Sequence, residues 1–344
     1  MSRLANLSVR NGLQWRGQNK IRMLSTSAPY LLLDRNVVGK ASSGEKAINC
    51  KLYDPRKGET VKSPALELTK ELQMVGSSRG WVALMNESDS TVRLTDMFRP
   101  GSSAKVISMP PLIQPEERRD LIINVSLSSP PEKEEDCVVA VKFLGPYLSL
   151  CRPGDSEWTH IKAPWELKMS SVMYSDRDRV FYLNTLPSGG SGLAESGSPL
   201  VKYHQRLPCH GSPGVPKPDL DKFTLHMVES PCGELFIIWW FLGDKSEGYK
   251  TKRLMVFRED KDQGKGYYTE DIGDLCIFLG PRTDHFCVRA STYPGLVPNS
   301  IYFAGFHHSG VYDLATRSIR LHDHITSHPR LALWLAPLQS CVQI

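Results

Sequence analysis

The stretch closest to a known chemical motif is GDKSEGYKT at 243–251, which follows an apolar run. It nearly spells a P-loop, in which backbone N–H groups and a lysine cradle phosphates. Tyr249 stands between the second glycine and the lysine, and residues 252–257 have the pattern of a strand. A P-loop instead requires a helix whose N-terminus meets the phosphate. The stretch therefore predicts a hairpin loop and no nucleotide site.

Histidines concentrate late in the chain, at His307, His308, His322, His324 and His328. In an extended segment His322 and His324 would share a face and could bind a metal ion, with His328 or Asp323 nearby. Asp323 would face the other side, however, and an H-x-H spacing alone is weak. We interpret these residues as surface or hydrogen-bonded histidines. The sequence also lacks G-x-S-x-G, H-E-x-x-H and kinase motifs. We therefore predict no catalytic residue, cofactor or metal site.

The eight cysteines show no metal or redox spacing. No C-x-x-C pair occurs, which argues against a zinc ribbon and a thioredoxin-type motif. Buried, reduced thiols are predicted.

Charge divides unevenly along the chain. The sequence has 42 Lys and Arg against 37 Asp and Glu. The whole excess lies in the first 24 residues, which hold Arg3, Arg10, Arg16, Lys20, Arg22 and no acid. The rest is neutral overall, which argues against a nucleic-acid binder that depends on net positive charge. A local basic patch stays open, so RNA binding is an alternative but not the favoured one.

The N-terminal segment has the composition of an organellar transit peptide, because it is rich in arginine and free of acids until Asp34. Residues 22–27 (RMLSTS) resemble a mitochondrial processing site. We predict a presequence over 1–24, one domain over 25–344, and a mitochondrial, matrix address. A chloroplast address and a cytosolic protein that keeps a basic arm stay open. The longest apolar run, Leu235 to Leu242, is too short to span a membrane.

The body is a series of short strand-like runs separated by turn residues. Residues 80–85, 91–96 and 105–109 form one three-strand meander, and 137–143, 147–151 and 158–163 form another with the same Arg-Pro-Gly turn. Further hairpins are predicted at 171–184, 235–259, 275–289 and 301–321, whereas 65–74 could form a helical turn or two. This repetition predicts an all-β fold, a β-propeller of about six or seven blades. Core positions are expected for Trp81, Trp158, Trp239 and Trp240.

Several segments also resemble a known family. They are Gly80-Trp81, 109–112 (MPPL), 278–280 (FLG), 293–296 (YPGL), 298–303 (PNSIYF) and 310–314 (GVYDL). Together they look like the plant KIB-type β-propellers, also catalogued as domain of unknown function 295, over about residues 50–325. Many members begin with an F-box and are thought to be substrate receptors of ubiquitin ligases. The first 50 residues here hold no such helices, so the chain resembles an organelle-targeted branch that lacks the F-box.

The resulting functional prediction is a non-enzymatic interaction module that binds protein partners in mitochondria. Three alternatives stay open: an RNA-binding organellar factor, a hydrolase or lyase with a site in the channel, and a ubiquitin-ligase adaptor. Neither the partner nor the oligomeric state is determined by the sequence.

Overall fold

A computed structural model describes most of the chain. The described residues are 28–40, 46–63, 66–67, 72–96, 105–113, 121–132, 137–184, 197–204, 209–210, 223–244, 246, 248–305, 308–322 and 332–337. The predicted presequence at 1–24 lies outside them, as do His307, His324, His328 and most of the glycine-rich stretch at 188–198. Within the described residues, no helix is long and apolar enough to cross a membrane.

The described residues form six sheets arranged as the blades of a propeller. Blade one consists of β1 (Tyr30–Lys40), β2 (Lys46–Asp54), β3 (Glu59–Lys62), β4 (Leu66–Glu67) and β26 (Leu333–Leu335). Blade two consists of β5 (Leu72–Ser78), β6 (Trp81–Asn86), β7 (Thr91–Thr95) and β8 (Val106–Pro111). Blade three consists of β9 (Ile122–Leu127), β10 (Val139–Phe143), β11 (Tyr147–Cys151) and β12 (Thr159–Lys162).

The second half of the ring is less regular. Blade four consists of β13 (Val172–Ser175), β14 (Val180–Asn184) and β15 (Val201–His204), and β15 runs parallel to β14. Blade five consists of β16 (Cys209–His210), β17 (Phe223–Glu229), β18 (Leu235–Leu242), β19 (Thr251–Asp260) and β20 (Lys265–Thr269). Blade six consists of β21 (Leu275–Leu279), β22 (Phe286–Arg289), β23 (Ser300–Ala304), β24 (Ser309–Asp313) and β25 (Ser318–Leu321). The structure therefore confirms the predicted all-β propeller and fixes the number of blades at six.

The last of the described strands closes the ring. β26 pairs antiparallel with β1, with Tyr30 opposite Leu335 and Leu32 opposite Leu333. The C-terminal strand thus becomes the innermost strand of the first blade, and the sheet edges that would otherwise remain open are paired. Because Tyr30 pairs with Leu335, the described chain ends at Ala28 and Pro337 lie at the same end of blade one.

Apolar side chains fill the space between neighbouring blades. Trp81, Trp158, Trp239 and Trp240 are at most 5% exposed, which confirms their predicted core positions. The cluster between blades four and five is small among the described residues, with Met173, Met227 and Leu235. Polar contacts supplement it there, as shown below.

The described residues correct two local predictions. In the stretch 65–74, where a helical turn or two was expected, Leu66–Glu67 and the residues from Leu72 are strand, because each pairs with a neighbouring strand; residues 65 and 68–71 lie outside the described residues. The predicted three-strand meanders of blades two and three also omit the innermost strands, β5 and β9. Cys209–His210, where no strand was predicted, pairs with β20.

Candidate functional site

The connection between β21 and β22, residues 280–285, crosses the central channel. Arg282 N–H donates to the Ile123 carbonyl on blade three at 3.1 Å, and Ser77 N–H of blade two donates to the Arg282 carbonyl at 3.1 Å. Arg282 has a φ of 55°, a left-handed conformation that costs a non-glycine residue about 1 kcal/mol. The hydrogen bonds to two other blades hold this conformation and fix the connection in place.

Polar side chains continue the contacts around the channel. Asn124 bonds both the N–H and the carbonyl of Val172 on the next blade, at 2.9 and 2.7 Å. The Asp284 carboxylate accepts the hydroxyls of Ser78 and Ser126 at 2.7 and 2.9 Å. Burial raises the pKa of Asp284 to about 7. These contacts join the innermost strands of several blades through one polar centre.

Above this connection lies a cavity of about 1290 Å³ at the face where the innermost strands begin. We call this the cavity face, and the other end of the channel the opposite face. The walls of the cavity include apolar side chains of several blades, among them Met85, Leu112, Leu225, Trp240 and Leu242. The connection at 280–285 closes its floor.

Two histidines beside the floor form an edge-to-face pair. The rings of His226 on β17 and His285 are 4.6 Å apart between centroids. His226 Nε2 and the Thr224 hydroxyl are 2.8 Å apart. Burial lowers the pKa of both, to about 4 for His285. Both imidazoles are therefore neutral near pH 7, so they contribute polar but uncharged surface.

Exposed apolar side chains gather at one side of the cavity mouth. Ile113, Leu121, Trp165 and Met169 are 72%, 52%, 62% and 52% exposed. Ile113, Leu121 and Met169 line the cavity as well. Exposed apolar side chains grouped in this way are typical of interaction sites, whereas isolated ones are ordinary.

Backbone hydrogen bonds tie together the connections that carry Leu121 and Met169. Leu144 N–H donates to the Leu121 carbonyl at 2.8 Å, and Gly145 N–H donates to the Lys168 carbonyl at 2.9 Å. The connections around blade three are thereby tied together. We call Ile113, Leu121 and residues 144–146 and 163–170 the platform.

A buried lysine supports the platform from below. The Lys142 side chain has no exposed surface, and its Nζ donates to the Phe143 and Gly145 carbonyls at 2.5 and 2.6 Å. Burial lowers the pKa of Lys142 to about 7. A cation in the core costs stability unless it is well paired. The bonds from Nζ to the Phe143 and Gly145 carbonyls hold the turn that carries Gly145.

The opposite face carries a charged network between blades four and five. Arg177 donates to Asp178 Oδ2 at 2.8 Å and to Glu259 Oε2 at 3.0 Å. Ser175 donates to Glu229, and His204 Nε2 lies 3.0 Å from Glu259 Oε1. These contacts lower the pKa values of Asp178 and Glu259 against the opposing effect of burial. The side chains are engaged with one another, so we assign the network to the blade interface.

The motifs considered from sequence do not meet at this cavity. Residues 243–250 connect β18 to β19, with Gly243 N–H bonded to the Lys250 carbonyl at 2.7 Å, as the hairpin interpretation predicted. The described histidines of the late group are spread out: His308 Nε2 accepts the Thr251 N–H, and His322 packs against Tyr53. Within the described part of the chain, no three metal-ligating side chains cluster.

The residues that build the cavity and the platform escaped sequence reasoning. Apolar residues in turn-rich connections, such as Trp165 and Met169, are the one signal that could have indicated them.

Residues 49–319 match the model of the KIB1-4 β-propeller family. The chain belongs to this family. The match confirms the resemblance found in the sequence, and it covers all six blades in part or whole. No curated protein matches the sequence.

Solved structures show only distant likeness. A putative 6-phosphogluconolactonase from Bacteroides fragilis has 10% identity and a TM-score of 0.40, covering 90% of this chain and 97% of its own. A fungal alcohol oxidase in complex with copper has 10% identity and a TM-score of 0.32, covering 84% of this chain and 72% of its own. Likeness at this level carries no argument about activity.

Proposed function

We propose that this KIB1-4 family member is a non-enzymatic interaction module of mitochondria that binds a protein partner through the platform. The observation that carries the proposal is the exposure of Ile113, Leu121, Trp165 and Met169 on connections joined by backbone hydrogen bonds. Anchoring the backbone beneath an apolar patch reduces the conformational entropy lost on binding, and aromatic side chains such as Trp165 are frequent anchors of interfaces.

The charges that line the cavity favour a protein over RNA. Glu87 and Asp89 line the cavity mouth beside the platform, and Arg282 is the lone Lys or Arg among the described residues of the lining. A polyanion gains affinity by contacts to several cations. The described lining does not offer them.

The mitochondrial address rests on the acid-free, arginine-rich composition of residues 1–24. The described chain ends, Ala28 and Pro337, lie at the opposite face because Tyr30 pairs with Leu335, the end of an innermost strand. A C-terminal tag therefore follows a described chain end that lies away from the platform.

A matched pair of variants tests the proposal. Leu121→Lys puts a charge in the platform, whereas Val106→Lys puts the same charge at a 54% exposed position on β8, away from it. Tagged proteins are expressed, recovered from purified mitochondria and compared by quantitative mass spectrometry, and the N-terminus of the imported form is sequenced. We expect one stoichiometric protein partner that Leu121→Lys loses and Val106→Lys keeps, and a mature start near Ser25. Failure of import, equal recovery by both variants, or RNA as the main co-purifying component would contradict the proposal.

A further inference from the structure

The platform by itself is small for a stable interface. Four side chains that are each about half to three quarters exposed present roughly 400 Å² of apolar surface. A stable interface buries about 800 Å² on each partner. A protein that binds at the platform therefore needs further contact surface nearby.

The cavity supplies that surface without a break. Ile113, Leu121 and Met169 belong both to the platform and to the cavity wall. From these residues the wall continues inward over Leu112 and Leu225. A segment lying on the platform would reach the cavity mouth directly.

The apolar and uncharged side chains of the deeper cavity wall determine which kind of segment can bind there. The deeper wall combines apolar side chains, including Leu225 and Trp240, with the neutral pair His226 and His285. Arg282, the lone Lys or Arg among the described lining residues, donates to the Met74 carbonyl at 3.1 Å. A charged group buried against the deeper wall would lose hydration that the apolar side chains and neutral imidazoles do not replace. An apolar chain would gain about 25 cal/mol for each Å² of surface removed from water.

The floor is fixed before binding. The Arg282 backbone is bonded to Ser77 and Ile123, and the Thr283 hydroxyl accepts the Trp334 N–H at 2.9 Å. The connection at 280–285 is thus anchored to blades one, two and three. An occupant enters from the cavity face and stops at this floor, so the site accommodates the tip of a segment and not a strand threaded through the channel.

From these observations we propose that the cavity receives an uncharged apolar segment of the protein partner, inserted from the platform. This inference rests on the proposed function and specifies which part of the partner is recognised.

Filling the cavity tests the inference. Ser171 lies just before β13, lines the cavity and is half-buried. Ser171→Trp therefore fills part of the cavity without removing a core side chain. Gln73→Trp does the same from blade two. Ser156→Trp is the matched control, because Ser156 is exposed in the turn between β11 and β12 at the opposite face. Circular dichroism and urea unfolding establish that each variant is folded.

The probe is a library of random peptides displayed on phage, selected against the whole wild-type protein. We expect enrichment of uncharged sequences with large aliphatic or aromatic side chains. Synthetic versions of these peptides should bind at least about tenfold more weakly to Ser171→Trp and Gln73→Trp, and within about twofold of wild type to Ser156→Trp. Charged consensus sequences, equal binding to all variants, or no enrichment would overturn the inference.

The mitochondrial partner separates the two proposals. If Leu121→Lys loses the partner while both cavity-filling variants keep it, the platform is the interface and insertion is wrong. If Leu121→Lys keeps the partner, the proposed function itself fails.

Discussion

Replacing Lys142 with methionine measures how much the buried cation beneath the platform lowers the free energy of unfolding. Burial lowers the pKa of the Lys142 ammonium from 10.5 to about 7. Each pKa unit corresponds to about 1.4 kcal/mol, so the charged form is disfavoured in the folded state by on the order of 4–5 kcal/mol. The hydrogen bonds from Nζ to the Phe143 and Gly145 carbonyls offset part of this free-energy cost, because each unpaired buried carbonyl would cost about 1–3 kcal/mol.

The sign of the pH dependence follows from the lowered pKa. Between about pH 7 and pH 10.5 the unfolded chain holds a proton on Lys142 that the folded protein has released. The free energy of unfolding therefore rises with pH across this window, and the contribution of Lys142 is constant below and above it. Methionine does not titrate. The stability of Lys142→Met relative to wild type should fall by about 2 kcal/mol from pH 7 to pH 9.

Urea unfolding followed by tryptophan fluorescence at pH 7, 8 and 9 measures this difference. Lys162→Met is the control, because Lys162 is exposed on β12 of the same blade. Its difference from wild type should not change over this range. A pH-independent difference for Lys142→Met would refute the reasoning, since it would mean that Lys142 titrates alike in the folded and unfolded states.

Two further perturbations test the contacts between blades. Gly295→Ala should lower the free energy of unfolding, measured by thermal or urea unfolding, by about 2–4 kcal/mol, because the φ of Gly295 is +103° and the added Cβ would lie 2.3 Å from the Arg56 carbonyl. Gly39→Ala is the control and should change the free energy of unfolding little, because its added Cβ meets nothing within 4 Å. Equal effects of the two substitutions would contradict this steric account. Arg177→Gln should destabilise by about 1–3 kcal/mol at pH 7, because the half-buried Glu259 loses a cation. The Arg177 contacts lower the pKa of Glu259, so their contribution to the free energy of unfolding is present above the usual carboxyl pKa and is lost as pH falls through the lowered value. Acid titration of both proteins should therefore show the difference in their free energies of unfolding shrinking below about pH 4. A constant difference would argue against this account.

Much of the outer fold was predictable because it depends on local pattern. Short strand-like runs bounded by turn residues predicted the strands of residues 80–109 and 137–163, and the Arg152-Pro153-Gly154 turn marked the reversal between β11 and β12. The innermost strands were harder. Both faces of a strand such as β9 meet other parts of the protein, so the alternation that identifies a half-buried strand is weaker there.

The sequence by itself determined the all-β class, the repetition of blades, the family resemblance and the separate composition of residues 1–24, because each is a property of neighbouring residues. Only the tertiary structure decided how the ring closes, since β26 and β1 are about 300 residues apart in the chain. It also decided the candidate site. Arg282, His226 and Met169 come from different blades, and only closure of the ring brings them around one cavity.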